Sequence, residues 1–172
     1  LVGSEMCIRD SVCSSTLTAR WRQIAENQGQ TIAIVDQDRN LTFAQLNAQA
    51  EALAAQILTL PQEKPLRIAL LLPRGEALIT GMLAAMLSHA VWINLDPVQP
   101  ANRLKTLLAQ TGADLIISSC ALREQLDPQR RWAWKTIEDD QFHPAALADA
   151  PRPFTPPETA YICLLYTSDA AD

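Results

Sequence analysis

The chain has 172 residues, 14 Lys and Arg against 19 Asp and Glu, a formal net charge of −5 and 48% hydrophobic residues. The length and apolar content suit one globular domain or part of a larger one. No basic block is present, which argues against nucleic acid or an anionic membrane as partner, and no apolar run approaches the roughly 18 residues needed to span a bilayer.

The opening stretch, LVGSEMCIRDS (1–11), is not a secretory leader, because Glu5, Arg9 and Asp10 leave no apolar segment. Its relation to the other end is more informative. Met6 to Asp10, with two bases of Ser11, can be encoded by ATGTGTATAAGAGACAG. The reverse complement, read from its second base, encodes Cys163, Leu164, Leu165, Tyr166, Thr167 and the first base of Ser168. One inverted DNA element thus accounts for both ends, and both resemble translated sequencing-library adapter. Residues 1–11 and 163–172 are therefore expected to be adapter-derived and are set aside from fold reasoning, leaving 12–162 as a partial domain. Without Glu5, Arg9, Asp10, Asp169 and Asp172 the net charge is about −2. Cys13 and Cys120 remain, too few for a disulfide framework or a zinc site. A reducing, cytoplasmic location is expected.

STLTARWRQIAENQG (15–29) predicts a first helix, capped by Ser15 or Thr16, with Leu17, Trp21 and Ile24 on one face. TIAIVD (31–36), the polar turn DQDRN (36–40) and LTF (41–43) predict a hairpin. Thr42 then suits the N-cap of a helix through Leu58, whose Leu46, Ala50, Leu53 and Ile57 form an apolar stripe that reads as core. LRIALLLP (66–73) is continuously apolar, as strands buried on both faces are. A largely apolar helix (75–90), a strand (91–96), a helix ending at Gly112 and a strand (113–119) follow. This succession is a βαβαβ unit, so the fold class is α/β: a β-hairpin plus a mostly parallel, incomplete sheet. Beyond Cys120, ALREQLDPQRR suggests a short helix, WAWKTI a strand, 143–158 an irregular Pro- and Ala-rich connection, and TAYI a new strand.

Motifs that carry chemistry are sparse. Outside the excluded ends the glycines are Gly29, Gly75, Gly81 and Gly112. They form neither G-x-G-x-x-G nor G-x-x-x-x-G-K-[ST], so no phosphate cradle is present. His89 and His143 lack partners at metal-ligand spacing. Glu138, Asp139 and Asp140 lack the alternating spacing of a calcium loop and read as a solvated turn. No serine sits in a G-x-S-x-G context, and RRWAW (130–134) lies in too acidic a chain for a nucleic-acid reading. The residues alone give an α/β unit with no catalytic constellation.

Two stretches carry a resemblance. NLTFAQLNAQAEALAAQIL (40–58) resembles the opening motif L-T-Y-x-E-L-N-x-x-A-x-x-L-A of the amino-acid adenylation domains of nonribosomal peptide synthetases, matching at Leu41, Thr42, Leu46, Asn47, Ala50, Leu53 and Ala54. Phe43 stands for Tyr and Gln45 for Glu. RIALLLPRG through LDPVQPANRL resembles the next block, matching at Leu95, Asp96, Pro97, Pro100, Arg103, Leu104, Leu108 and Ala113. Trp92 takes a Tyr place, Asn94 a Pro place, and His89 a Gly place with a cost in backbone strain. The resemblance spans 15–162 and implies the N-terminal part of the large domain of an adenylate-forming enzyme. Such an enzyme activates a carboxylic or amino acid with ATP and Mg, and passes the acyl group to the phosphopantetheine thiol of a carrier-protein domain. The motifs that do this chemistry in the family lie beyond residue 162. No catalytic, cofactor-binding or metal-binding residue is therefore assigned here, the piece alone is expected to be inactive, and Asp96 and Arg103 are read as structural. A standalone aryl-acid or acyl-CoA ligase fragment, or a non-catalytic doubly wound nucleotide-binding module, are the alternatives.

Overall fold

The computed structural model describes residues 16–36, 39–61, 63–129, 131–136 and 159–164. The first helix, α1 (Leu17–Asn27), starts at Thr16, whose hydroxyl accepts the Ala19 N–H. The face it buries overlaps the expected one, with Ile24 half-buried, but is turned toward Thr18 and Ala25. Thr18 and Ala25 are buried and Trp21 is half-buried, while Leu17 is 64% exposed. Trp21 sets this rotation: its indole N–H donates to Asn47 Oδ1 at 2.7 Å, and its ring lies 5.8 Å from that of Phe43.

β1 (Ile32–Asp36) and β2 (Arg39–Thr42) pair antiparallel, as the hairpin reading expected, with a register irregularity between Ile32 and Ile34. Thr42 then caps α2 (Phe43–Leu58) in a reciprocal box: its hydroxyl accepts the Gln45 N–H, and the Gln45 side chain accepts the Thr42 N–H. Glutamine fills this place as well as glutamate does, so the departure at Gln45 preserves the helix start. Leu46, Ala50, Leu53 and Ile57 are all buried.

The parallel sheet contains β3 (Arg67–Leu70), β4 (Val91–Asn94), β5 (Leu115–Ser118), β6 (Ala133–Thr136) and β7 (Tyr161–Ile162), in the spatial order β6-β5-β3-β4-β7. Every described pairing in it is parallel. Helices α3 (Glu76–Leu87), α4 (Ala101–Thr111) and α5 (Cys120–Leu126) connect them. Side chains alternate between two cores. Ile68, Leu70, Leu72, Trp92, Leu115 and Ile117 pack with α2 and α3; Ala69, Leu71, Ile93, Leu95 and Ile116 pack with α4 and α5. Burial on both faces is why these strands lack polar alternation.

The strands are shorter than the apolar runs that encode them. β3 stops at Leu70, although Leu71 and Leu72 stay buried, because Pro73 has no N–H to continue a ladder. β4 stops at Asn94; the Leu95 N–H still reaches Leu70 O at 3.0 Å, and Asp96 then turns the chain. α3 ends at Leu87 rather than running on to 90, because Ser88 turns its hydroxyl back onto Ala84 O and Ala85 O, and His89 takes φ 57°. Gly112 closes α4 at φ 61°, in the left-handed region favoured at this position.

Candidate functional site

Open α/β sheets bind ligands outside the carboxyl ends of their strands, where neighbouring connections diverge to opposite faces. Here β3 feeds α3 on one face, and its neighbour β5 feeds α5 on the other. The divergence point therefore lies between Leu71 and Ser118. It is closed by the chain's own groups. The Leu71 N–H donates to Ile117 O at 2.9 Å, and the fully buried Ser118 hydroxyl donates to Leu71 O at 2.8 Å. The next hydroxyl, Ser119 Oγ, accepts the Leu122 N–H and so caps α5.

The loop after β3 is held from the hairpin. Gly75 has φ 146° and ψ −163°, a conformation almost confined to glycine. A β-carbon there would lie 2.5 Å from Asp36 Oδ2. That carboxylate accepts the Glu76 N–H at 3.1 Å and so caps α3, whose own N-cap residue has no side chain to do so. Glu76 in turn accepts from Gln49 Nε2 at 3.0 Å and lies 3.8 Å from the Arg39 guanidinium. Gln49 Oε1 accepts the buried Thr80 hydroxyl at 3.3 Å. Asp36 and Arg39, from the ends of the two hairpin strands, grip the first residue of α3 by its backbone and its side chain.

After β4, Asp96 Oδ1 accepts the Val98 N–H at 3.0 Å and Asp96 O accepts the Gln99 N–H at 3.2 Å, a turn-forming geometry. Arg103 lies in the first turn of α4 with an exposed side chain and donates its N–H to Pro100 O. His89, half-buried, is the only non-glycine with positive φ among the described residues. His143 and 138–140 lie outside the described residues, as does Cys13.

The aromatic and basic cluster after α5 serves a buried carboxylate. Asp127 accepts the N–H groups of Arg131 and Trp132 and the Trp134 indole N–H, each at 2.9 Å, and Arg131 Nε lies 3.7 Å away. Burial alone would raise its pKa. The bonds from Trp132, Arg131 and Trp134, with the Arg131 charge, outweigh burial and hold it below the usual 3.8. A cleft of ≈ 530 Å³ lined by Leu60, Lys64, Leu66, Asp114 and Ala133 sits at the amino ends of the strands, the wrong end for a ligand in such sheets. Its Lys64 and Asp114 side chains pair with each other at 3.4 Å. Among the described residues no group of three or more His, Cys, Asp or Glu side chains could hold a metal ion, and no helix is long and apolar enough to cross a membrane.

Sequence reasoning treated Asp36 as part of a polar turn and did not see Asp127 as the centre of the tryptophan cluster. Asp127 carried a usable signal, since an aspartate before proline commonly opens a turn; Asp36 acts on a residue 40 positions away and carried none.

The strand order, the two-sided burial and the diverging connections define a doubly wound α/β unit. Comparison with known proteins names its family. The chain belongs to the AMP-binding enzyme family, whose profile matches residues 21–168. It is 29% identical over 161 residues to indigoidine synthase of Dickeya dadantii, covering 90% of this chain and 11% of that protein. It is 34% identical over 139 residues to delta-poly-L-ornithine synthetase of Acinetobacter baumannii, covering 79% of this chain and 10% of that one. A crystal structure of the nonribosomal peptide synthetase FmoA3 superimposes with a TM-score of 0.74 at 20% identity, over 86% of this chain and 16% of that chain. The chain thus spans about a tenth of the length of these curated relatives.

Proposed function

We propose that residues 12–162 are the N-terminal scaffold of an adenylation domain in a longer carboxylate-activating ligase. That enzyme would join a carboxylic or amino acid to ATP, release pyrophosphate, and transfer the acyl group from the adenylate to a phosphopantetheine thiol on a carrier domain. The carrying observation is the family match over 21–168, on a sheet whose strands are buried on both faces. FmoA3 has been solved with AMPPNP and with α-methyl-L-serine-AMP, which favours ATP as the cosubstrate. Adenylation makes chemical sense for such an acid, because it replaces a poor leaving group with a good one, and cationic groups then offset the phosphate charge.

The described residues contribute architecture to this reaction. They provide no glycine-rich turn and no cation-binding cluster, so magnesium, the nucleotide phosphates and the carrier thiol would be held by later segments. A cytoplasmic location accords with a cysteine content too low for a disulfide framework.

Residues 1–11 and 163–172 are proposed to be adapter-encoded. The family match includes Cys163–Ser168, where the spelling Y-T-S is shared by the adapter element and by the family's lead into its phosphate loop. Reading the source DNA past Ile162 tests both proposals. A T-S-G-[ST]-T-G-x-P-K-G-like segment should follow within a few residues. The product of the longer frame should catalyse acid-dependent exchange of pyrophosphate into ATP, while the 172-residue chain should not. A frame lacking that segment, or a long product without exchange for any carboxylic acid tried, overturns the assignment.

A further inference from the structure

We draw no further inference here: the strongest candidate, the stacked Trp92–Tyr161 face at the β7 edge of the sheet, whose buried indole N–H has no acceptor among the described residues, carries nothing because nothing in the structure shows what covers it.

Discussion

Replacing Gly75 by alanine tests whether the hairpin truly caps α3. Two costs arise. An alanine at φ 146° occupies backbone space that costs about 1–3 kcal/mol. Its β-carbon would also lie 2.5 Å from Asp36 Oδ2, pushing away the carboxylate that caps Glu76, and loss of a cap costs about 0.5–2 kcal/mol. Gly75→Ala should therefore destabilise by about 1.5–5 kcal/mol, and Asp36→Ala by about 1 kcal/mol. The cap can be lost only once, so in the Asp36→Ala background Gly75→Ala should cost only the backbone share. The pair should be non-additive by about 0.5–2 kcal/mol, above the scatter of independent sites. Urea unfolding of the four variants, followed by tryptophan fluorescence, reads this directly. Additivity within about 0.3 kcal/mol would refute the cap.

Other perturbations follow from single residues. His89→Ala should be less stable than His89→Gly, since both lose the histidine side chain but only alanine bears the left-handed strain, about 1–2 kcal/mol, which exceeds the entropy cost of glycine, about 0.5–1 kcal/mol; an alanine variant that melts at or above the glycine one would contradict it. Trp92→Phe should cost under about 1 kcal/mol despite the smaller ring, because it removes a buried donor that has no acceptor among the described residues and whose desolvation costs about 1–3 kcal/mol. Trp134→Phe, which strips a donor from Asp127, should cost about 1.5–3 kcal/mol, and equal losses for the two tryptophans would sink the contrast. Because the folded pKa of Asp127 lies below its usual 3.8, its carboxylate adds stability that is complete above that value and lost as pH falls through the lower, folded value. Asp127→Asn should flatten the acid limb of the stability–pH curve, and an unchanged slope below about pH 4 would exclude this role.

The parts of the fold legible in the sequence are those where one local rule dominates. RIALLL, VWIN and LIIS are apolar without alternation because helices cover both faces, and Thr42 with Gln45 spells its cap within four residues. The rotation of α1 was not legible, because a tertiary contact from Trp21 to Asn47 overrides the stripe through Leu17. Strand ends were overextended, because apolar residues such as Leu72 stay in the core after the ladder has stopped. At the candidate site the turn after β4 could be read from Asp96 and the PVQP run. The closure of the β3–β5 divergence by Ser118 could not, since a serine ending an apolar run looks the same whether it faces water or a neighbouring carbonyl.

The position of α3 has a practical consequence for cutting this gene. The loop around Pro61 and Pro65 looks like a natural seam, with the hairpin and α2 before it and the alternating sheet after it. Yet Leu53 and Ile57 of α2 share one core with Ala84, Ala85 and Leu87 of α3 and with the strands beneath. A truncation at that seam would strip the outer coat from a helix that is apolar on nearly all sides. The segment from α1 through α2 is therefore wall rather than porch, and any shortened version should keep it.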